Sequence, residues 1–431
     1  MKIIVTVLVL LSFFFFVRFN GQVLQLPEQK ILIRFDSVMV TPQVHKADSS
    51  LSPLIGFLHS YPDTSLWRQF VFPLRPNFWR NKSYFEEYHR LAKSYNPDFH
   101  YQMSLAGSYP AINKGIENEF WPFTNYAKWE EYRLDKLSLL PANSQNQSVD
   151  IWNEPNLPSG KYWKGTPHEF YEMFCETINF LNENHPELPT AGPSATGSTA
   201  REFTKGLLSY MAIWKSNNPN DSLRLDWIAI HGLGQNQKAF LSDLQYWSKE
   251  VYENKNYAKI GVTDLIYNEY IRRGEESKYF AWALRYLEAF EKYGVKYAGR
   301  TCWGTCNDGT LDGLLSIDSS GRYFPNENWF GYASYAKLTG KRYVVQKTNR
   351  LSIIAGEVKE NQTKLILLSN TENFNVDCLM SARGLETNKL NYFYEISDKG
   401  LIAIDRLPNW EEGFIVKAKT SYLISELPIT L

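Results

Sequence analysis

Cysteine is scarce, with four residues in 431 (Cys175, Cys302, Cys306 and Cys378), too few for a disulfide scaffold. Cys302 and Cys306 could close a small loop, but four cysteines allow three pairings and spacing does not choose among them. No excess of either charge exists, since 46 basic residues balance 46 acidic ones. That balance argues against nucleic acid or an anionic membrane as the main partner, because both demand a concentrated basic surface. The seven histidines show no H-x3-H or H-E-x-x-H spacing, so neither a catalytic metal nor another cofactor is expected. Gly192-Pro193-Ser194-Ala195-Thr196 fails the G-x-S-x-G pattern at its last position, and no glycine-rich phosphate loop occurs.

Long apolar runs are also lacking, apart from one at the start. Lys2, then Ile3 to Val17, then Arg18 and small residues to about Gly21 read as a secretion leader spanning 1–21. The run is shorter than the ~20 residues a membrane span needs, so cleavage and export, to the medium or a periplasm, are expected. About 410 residues would remain, enough for a barrel and a companion domain. Aromatic residues, by contrast, are plentiful at 15%, with 13 Trp and 27 Tyr. Such rings suit stacking on sugars, although most must fill core.

From 51 to 340 the chain alternates β-prone and helical segments. Strands are expected at Leu54–His59, Phe70–Leu74, Phe99–Leu105, Val149–Trp152, Pro189–Gly192, Leu225–His231, Gly261–Glu269 and Tyr297–Trp303. Amphipathic helices are expected at Tyr84–Tyr95, Tyr126–Leu139, Pro167–Asn184, Ala200–Trp214, Lys238–Glu253, Ser277–Tyr293 and Trp329–Thr339. Only the first strand lacks a convincing helix after it. Thr166, Pro167 and Glu169 form a helix start, and Phe170, Met173, Phe174, Thr177, Ile178 and Leu181 follow at helical spacing. Eight such units read as a (β/α)8 TIM barrel. From 341 to 431, short β-prone runs without helices read as an accessory antiparallel β-sandwich. Within the segment 22–50, Lys30–Val40 is strand-like and expected to join that sandwich.

In a barrel, functional residues lie at the C-terminal ends of strands. Glu154 follows Val149–Trp152 at the end of strand four, where Pro155 breaks the ladder. Glu269 ends strand seven, across the barrel mouth. Two facing carboxylates are the minimum for glycosidic cleavage: one protonates the leaving oxygen and the other attacks or activates water. Either acid alone is an ordinary loop residue; the pairing by strand position carries the reading.

Trp152-Asn153-Glu154-Pro155-Asn156 resembles the acid/base motif of clan A retaining glycoside hydrolases, in particular the family 39 group of β-xylosidases and α-L-iduronidases. The resemblance extends to Gly56-Phe57-Leu58-His59, to Leu74-Arg75-Pro76 through Trp79-Arg80, and to Gly192-Pro193-Ser194. It implies Glu154 as general acid/base, Glu269 as nucleophile and Asn153 as partner of the sugar 2-hydroxyl. It also places His59, Arg80 and His231 in the site. The family's strand-six motif runs on from His to a Tyr that contacts the nucleophile. Here it reads His231-Gly232-Leu233-Gly234, so that contact is absent or comes from elsewhere, with Tyr270 a candidate.

Trp163 and Trp303 are candidate stacking platforms, or packing. Arg272 and Arg273, with Lys161 and Lys164, could bind sulfate or uronate on an anionic glycan, or form a plain solvated rim. The expected activity is retaining hydrolysis of an oligo- or polysaccharide. The alternative is a glycan-binding protein that kept the barrel and lost turnover.

Overall fold

The computed structural model describes residues 28–42, 51–108, 121–140, 146–158, 160, 162–232, 236–271, 274–301, 308–347, 350–385, 389–405, 408–410 and 412–431. The expected leader at 1–21, Lys161, Arg272, Arg273, Cys302, Trp303 and Cys306 lie outside them.

Eight parallel strands close into a barrel: Gly56–Leu58, Phe78–Asn81, His100–Ser104, Gln147–Asp150, Thr190–Thr196, Trp227–His231, Asp264–Asn268 and Val295–Arg300. The last strand pairs with the first through Gly56 opposite Gly299, which completes the ring. A Cβ on Gly299 would sit 2.5 Å from Asn268 Oδ1 and 2.6 Å from Leu58 Cδ2, so only glycine permits this approach. Phe78, Ala191, Trp227, Ala229 and Ile266 fill the barrel's interior with Tyr297 against them. The His100 ring stacks on Tyr297 and its Nε2 lies 2.8 Å from Ser148 Oγ.

Strand two is a correction. The run expected as a strand, Phe70–Leu74, is instead a π-helical turn, Trp67–Val71, followed by a 3-10 turn, Phe72–Leu74. Its β-prone composition misleads, because Trp67, Phe70, Val71 and Leu74 are the buried residues and their spacing is helical. These turns occupy the place after strand one where no helix was expected. The true second strand is Phe78-Trp79-Arg80-Asn81, with all four side chains buried. The Asn81 side-chain amide donates to the His59 carbonyl at 3.2 Å.

The helix after strand four, Pro167–Asn184, begins with a full capping box between Thr166 and Glu169. Its stripe, Phe170, Met173, Phe174, Thr177, Ile178 and Leu181, is buried against the barrel wall.

The accessory domain stacks two sheets. One orders Tyr343–Lys347, Glu28–Val38, Val376–Arg383 and Phe414–Val416; the other orders Leu351–Glu357, Lys364–Asn370, Ser421–Ser425, Tyr392–Ser397 and Gly400–Ala403. Ile31, Ile33, Ile353, Ile366, Leu368, Cys378 and Ile424 form its core. Most pairs are antiparallel, but Glu28–Val38 runs parallel to Val376–Arg383, a pairing that no hairpin constrains. A buried cluster joins the domains: Tyr335 Oη donates to Glu291 Oε1 at 2.7 Å, and Arg342 Nε donates to the same oxygen at 2.9 Å. The Leu54 amide donates to Tyr335 Oη, tying the entry of strand one to this junction. Among the described residues, no helix is long and apolar enough to cross a membrane.

Candidate active site

Asp150 ends strand four inside the barrel wall, and the chain then turns so that Glu154 faces the mouth. Glu154 adopts φ +49° and its amide donates to the Ser194 carbonyl at 3.0 Å. Glu269 adopts φ +54° just beyond strand seven, and its amide donates to the Gly299 carbonyl at 2.8 Å. Both carboxylates converge on His231, the last residue of strand six. His231 Nδ1 lies 3.0 Å from Glu154 Oε1 and 3.7 Å from Glu269 Oε1. One donor atom from each of the three residues falls within 4.8 Å of the other two.

The site is largely dehydrated yet reachable. The Glu154 and Glu269 side chains keep 6% and 12% exposure, while His59 keeps 30%. His59 Nε2 lies 3.9 Å from Glu269 Oε1. Burial alone would push the Glu269 carboxyl up, but the His231 and His59 imidazoles and the Arg80 guanidinium outweigh it and hold it below the usual carboxylate range. Glu269 is therefore ionised at neutral pH.

Arg80 does not stand where a substrate could touch it. It is 1% exposed, with Nε donating to Asp150 Oδ2 at 2.7 Å and Nη2 donating to Ser104 Oγ at 3.2 Å and Asn153 Oδ1 at 3.0 Å. Its expected sugar contact is corrected to a positioning role. With Asn153 Oδ1 engaged by Arg80, the Asn153 NH2 group is the end turned to other partners. Ser194 Oγ donates to Asp150 Oδ2 at 2.7 Å and completes the network.

Tyr270 is not the missing contact, and for Trp163 the packing alternative holds. Tyr270 is fully buried among Tyr286 and Phe290, and its hydroxyl pairs with that of Tyr332, so it cannot serve the carboxylates. Directly after the turn at Glu269, its side chain points into the helix layer. Trp163 is 4% exposed and packs edge-on against Trp121, Trp152 and Phe170, with Nε1 donating to the Thr166 carbonyl. It is a wall, not a stacking platform. Lys164 lines a cavity of about 780 Å3 beside Glu154, together with Pro155, Leu157, Tyr171 and Phe203.

Asp150 and Ser194 were not anticipated as parts of the site. Their signal is weak: Asp150 is a charge inside a β-run, and Ser194 falls in the Gly192-Pro193-Ser194 likeness, which gives its side chain no role. Glu154, His231 and Glu269 also form the kind of donor set a transition metal could use, although carboxylates paired through one imidazole suit proton chemistry equally.

No family model matches the chain, and no curated protein matches it in sequence. Solved structures match in shape. N2152 from Neocallimastix frontalis superposes with a TM-score of 0.65 at 17% identity, covering 92% of this chain and 98% of that one. A Paenibacillus polymyxa xyloglucanase from glycoside hydrolase family 44 gives 0.54 at 10% identity, covering 93% and 99%. AbfB, a family 51 α-L-arabinofuranosidase from Bifidobacterium longum, gives 0.56 at 11%, covering 93% and 99%. The barrel and its β-domain share the fold of these solved structures. At such identities the likeness concerns fold, including the β-domain, and activity must be argued from the site.

Proposed function

We propose that this chain is an exported retaining glycoside hydrolase acting on an oligo- or polysaccharide. One observation carries the reading: Glu154 and Glu269, from strands four and seven, bring carboxylate oxygens within 4.8 Å of each other over His231. Retaining enzymes need carboxyl groups ~5–5.5 Å apart, whereas inverting enzymes leave ~6.5–9.5 Å for a water. Glu269, ionised and flanked by cationic or donor groups, attacks the anomeric carbon. Glu154 gives its proton to the leaving oxygen, and then takes one from the water that releases the glycosyl-enzyme. Asn153, fixed by Arg80, offers its amide to the 2-hydroxyl beside the reacting carbon. The finer likeness to family 39 rests on sequence motifs at 152–156 and 56–59, and export rests on the leader at 1–21.

A series of 2-fluoro glycosides with good leaving groups, followed by peptide mapping, tests this. A stable adduct on the peptide bearing Glu269 is expected, and the sugar that labels names the subsite. No adduct from any sugar, with glycans bound but never cleaved, would favour the non-catalytic alternative. An adduct elsewhere would overturn the assignment of the nucleophile.

A further inference from the structure

The turn that ends strand one is built around His59. Its φ is +67°, and across it the Ser60 amide donates to the Leu58 carbonyl at 2.7 Å. A γ-turn with a positive φ at its centre is rare and strained, and persists only where its surroundings enforce it. Strand two holds the apex: the His59 amide donates to the Arg80 carbonyl at 3.2 Å, and the Asn81 side chain donates to the His59 carbonyl at 3.2 Å. The two arms, Leu58 and Ser60, are held from the other side.

That side is the segment following strand eight, the strand that pairs with strand one. Asp312 is fully buried there; its Oδ2 accepts the Leu58 amide at 2.6 Å, and the Ser60 amide and hydroxyl lie against the same carboxyl. An acid oxygen accepts such a bond whether the carboxyl is ionised or carries a proton on its other oxygen, so the grip does not depend on charge. Asp312 is fixed in turn. Leu311, Asp312 and Gly313 have φ of +56°, +53° and +80°, a left-handed run that is costly for leucine. Specific bonds hold it: Arg300 Nε donates to the Asp312 carbonyl at 2.9 Å, and Asn326 Nδ2 donates to that of Gly313 at 2.9 Å. Arg300 follows Gly299, whose carbonyl accepts the Glu269 amide at 2.8 Å. The end of strand eight thus fixes Glu269 directly and the arms of the His59 turn through Asp312.

We infer that Asp312 is a positioning residue: by stapling both arms of the turn it holds the His59 ring at Glu269, where Nε2 lies 3.9 Å from Oε1. The placement stands on geometry; its consequence for catalysis rests on the glycosidase reading. Burial pushes the Glu269 carboxyl up, and the His231 and His59 imidazoles with the Arg80 guanidinium hold it down, so releasing His59 should raise it.

The test combines imidazole NMR and kinetics on the full chain. With isotope-labelled histidine, the His59 ring signal is the one lost in His59→Gln. In the parent chain it should shift on Glu269→Gln, and in the Asp312→Asn background that shift should be much reduced. Asn keeps the volume and one acceptor but turns a donor toward the donors of Leu58 or Ser60, which releases the turn without opening a cavity. On an activated glycoside, Asp312→Asn should lower kcat about tenfold or more with KM within about twofold, and move the acid limb of kcat/KM upward. Combined with His59→Gln it should cost little further. Ser60→Ala should act in the same direction more weakly, and it carries the test if Asp312→Asn misfolds. A His59 signal indifferent to Glu269→Gln in the parent would overturn the proposal, as would a parent-sized shift in the folded variant. A lowered kcat with an unmoved acid limb would also overturn it, since that marks a merely structural role. A chain that cleaves no glycoside, yet loses the His59 response in Asp312→Asn, would sink the proposed function alone.

Discussion

Replacing Arg80 by Met would separate positioning from contact in this site. The substitution keeps most of the side-chain volume and removes the cation paired with Asp150, which is fully buried. Asp150 would keep one hydroxyl donor, Ser194, on Oδ2, with Oδ1 already unpartnered. Stranding a buried carboxylate in this way costs about 3–5 kcal/mol. Exchanging Asp150 for Asn in the same chain removes the stranded charge and keeps the Ser194 bond, so Arg80→Met/Asp150→Asn should recover about half of that loss or more. Activity should not recover, because Asn153 Oδ1 still lacks its donor and the amide is free to turn. A mispositioned group of this kind costs on the order of 100-fold in kcat/KM. Urea unfolding followed by tryptophan fluorescence gives the first quantity, and hydrolysis of an activated glycoside gives the second. If Arg80→Met lost less than about 1 kcal/mol, or if the double variant regained activity together with stability, the positioning argument would be wrong.

Acidity offers another check, since Glu269 is held below the usual carboxylate range: the acid limb of kcat/KM should lie low, and His231→Gln should move it upward. The same depressed value means Glu269 stabilises the fold above its unfolded pKa near 4.5 and loses that contribution as pH falls toward about 2. The stability gap between the parent chain and Glu269→Gln should therefore shrink on acidification, read by unfolding at about pH 6 and about pH 3. Trp163→Ala should cost about 3–5 kcal/mol as a core cavity, while Trp163→Phe should leave KM within about twofold. A large KM change in a well-folded Trp163→Phe would restore the stacking role.

The barrel was legible because its helices announce themselves. The start at Thr166-Pro167 and the stripe from Phe170 to Leu181 agree in cap, propensity and period, and the structure follows them. Strand two was illegible for a matching reason. Phe70-Val71-Phe72 has strand composition, but burial there follows a helical spacing set by tertiary packing, which outweighs propensity. The carboxylate pair could be read from strand-end position and the turn at Pro155. The supporting shell could not. Arg80 and Asp150 lie 70 positions apart in the chain, and no local pattern announces a buried ion pair. Tyr270 shows the limit from the other side: it neighbours Glu269 in sequence, yet the positive-φ turn at Glu269 breaks the strand's alternation and leaves Tyr270 on Phe290 in the helix layer, as Tyr267 is.

The mouth of the barrel concentrates backbone strain. His59, Glu154, Ser194 and Glu269 have φ of +67°, +49°, +56° and +54°, and none is glycine. Each such conformation costs ~1–3 kcal/mol and persists only where neighbours enforce it. Here the enforcing bonds are explicit. The His59 amide donates to the Arg80 carbonyl, that of Glu154 to Ser194, and that of Glu269 to Gly299, so three of the four donate to a neighbouring strand and Ser194 accepts from Glu154. Cross-strand attachment turns a local cost into a shared constraint, because relaxing one turn would break a bond to the neighbouring wall. This explains why two acids that lose most of their hydration stay within reach of the same imidazole. The closed sheet supplies the force that holds them, and it places that rigidity where the proposed proton and glycosyl transfers would need groups held to within a fraction of an ångström.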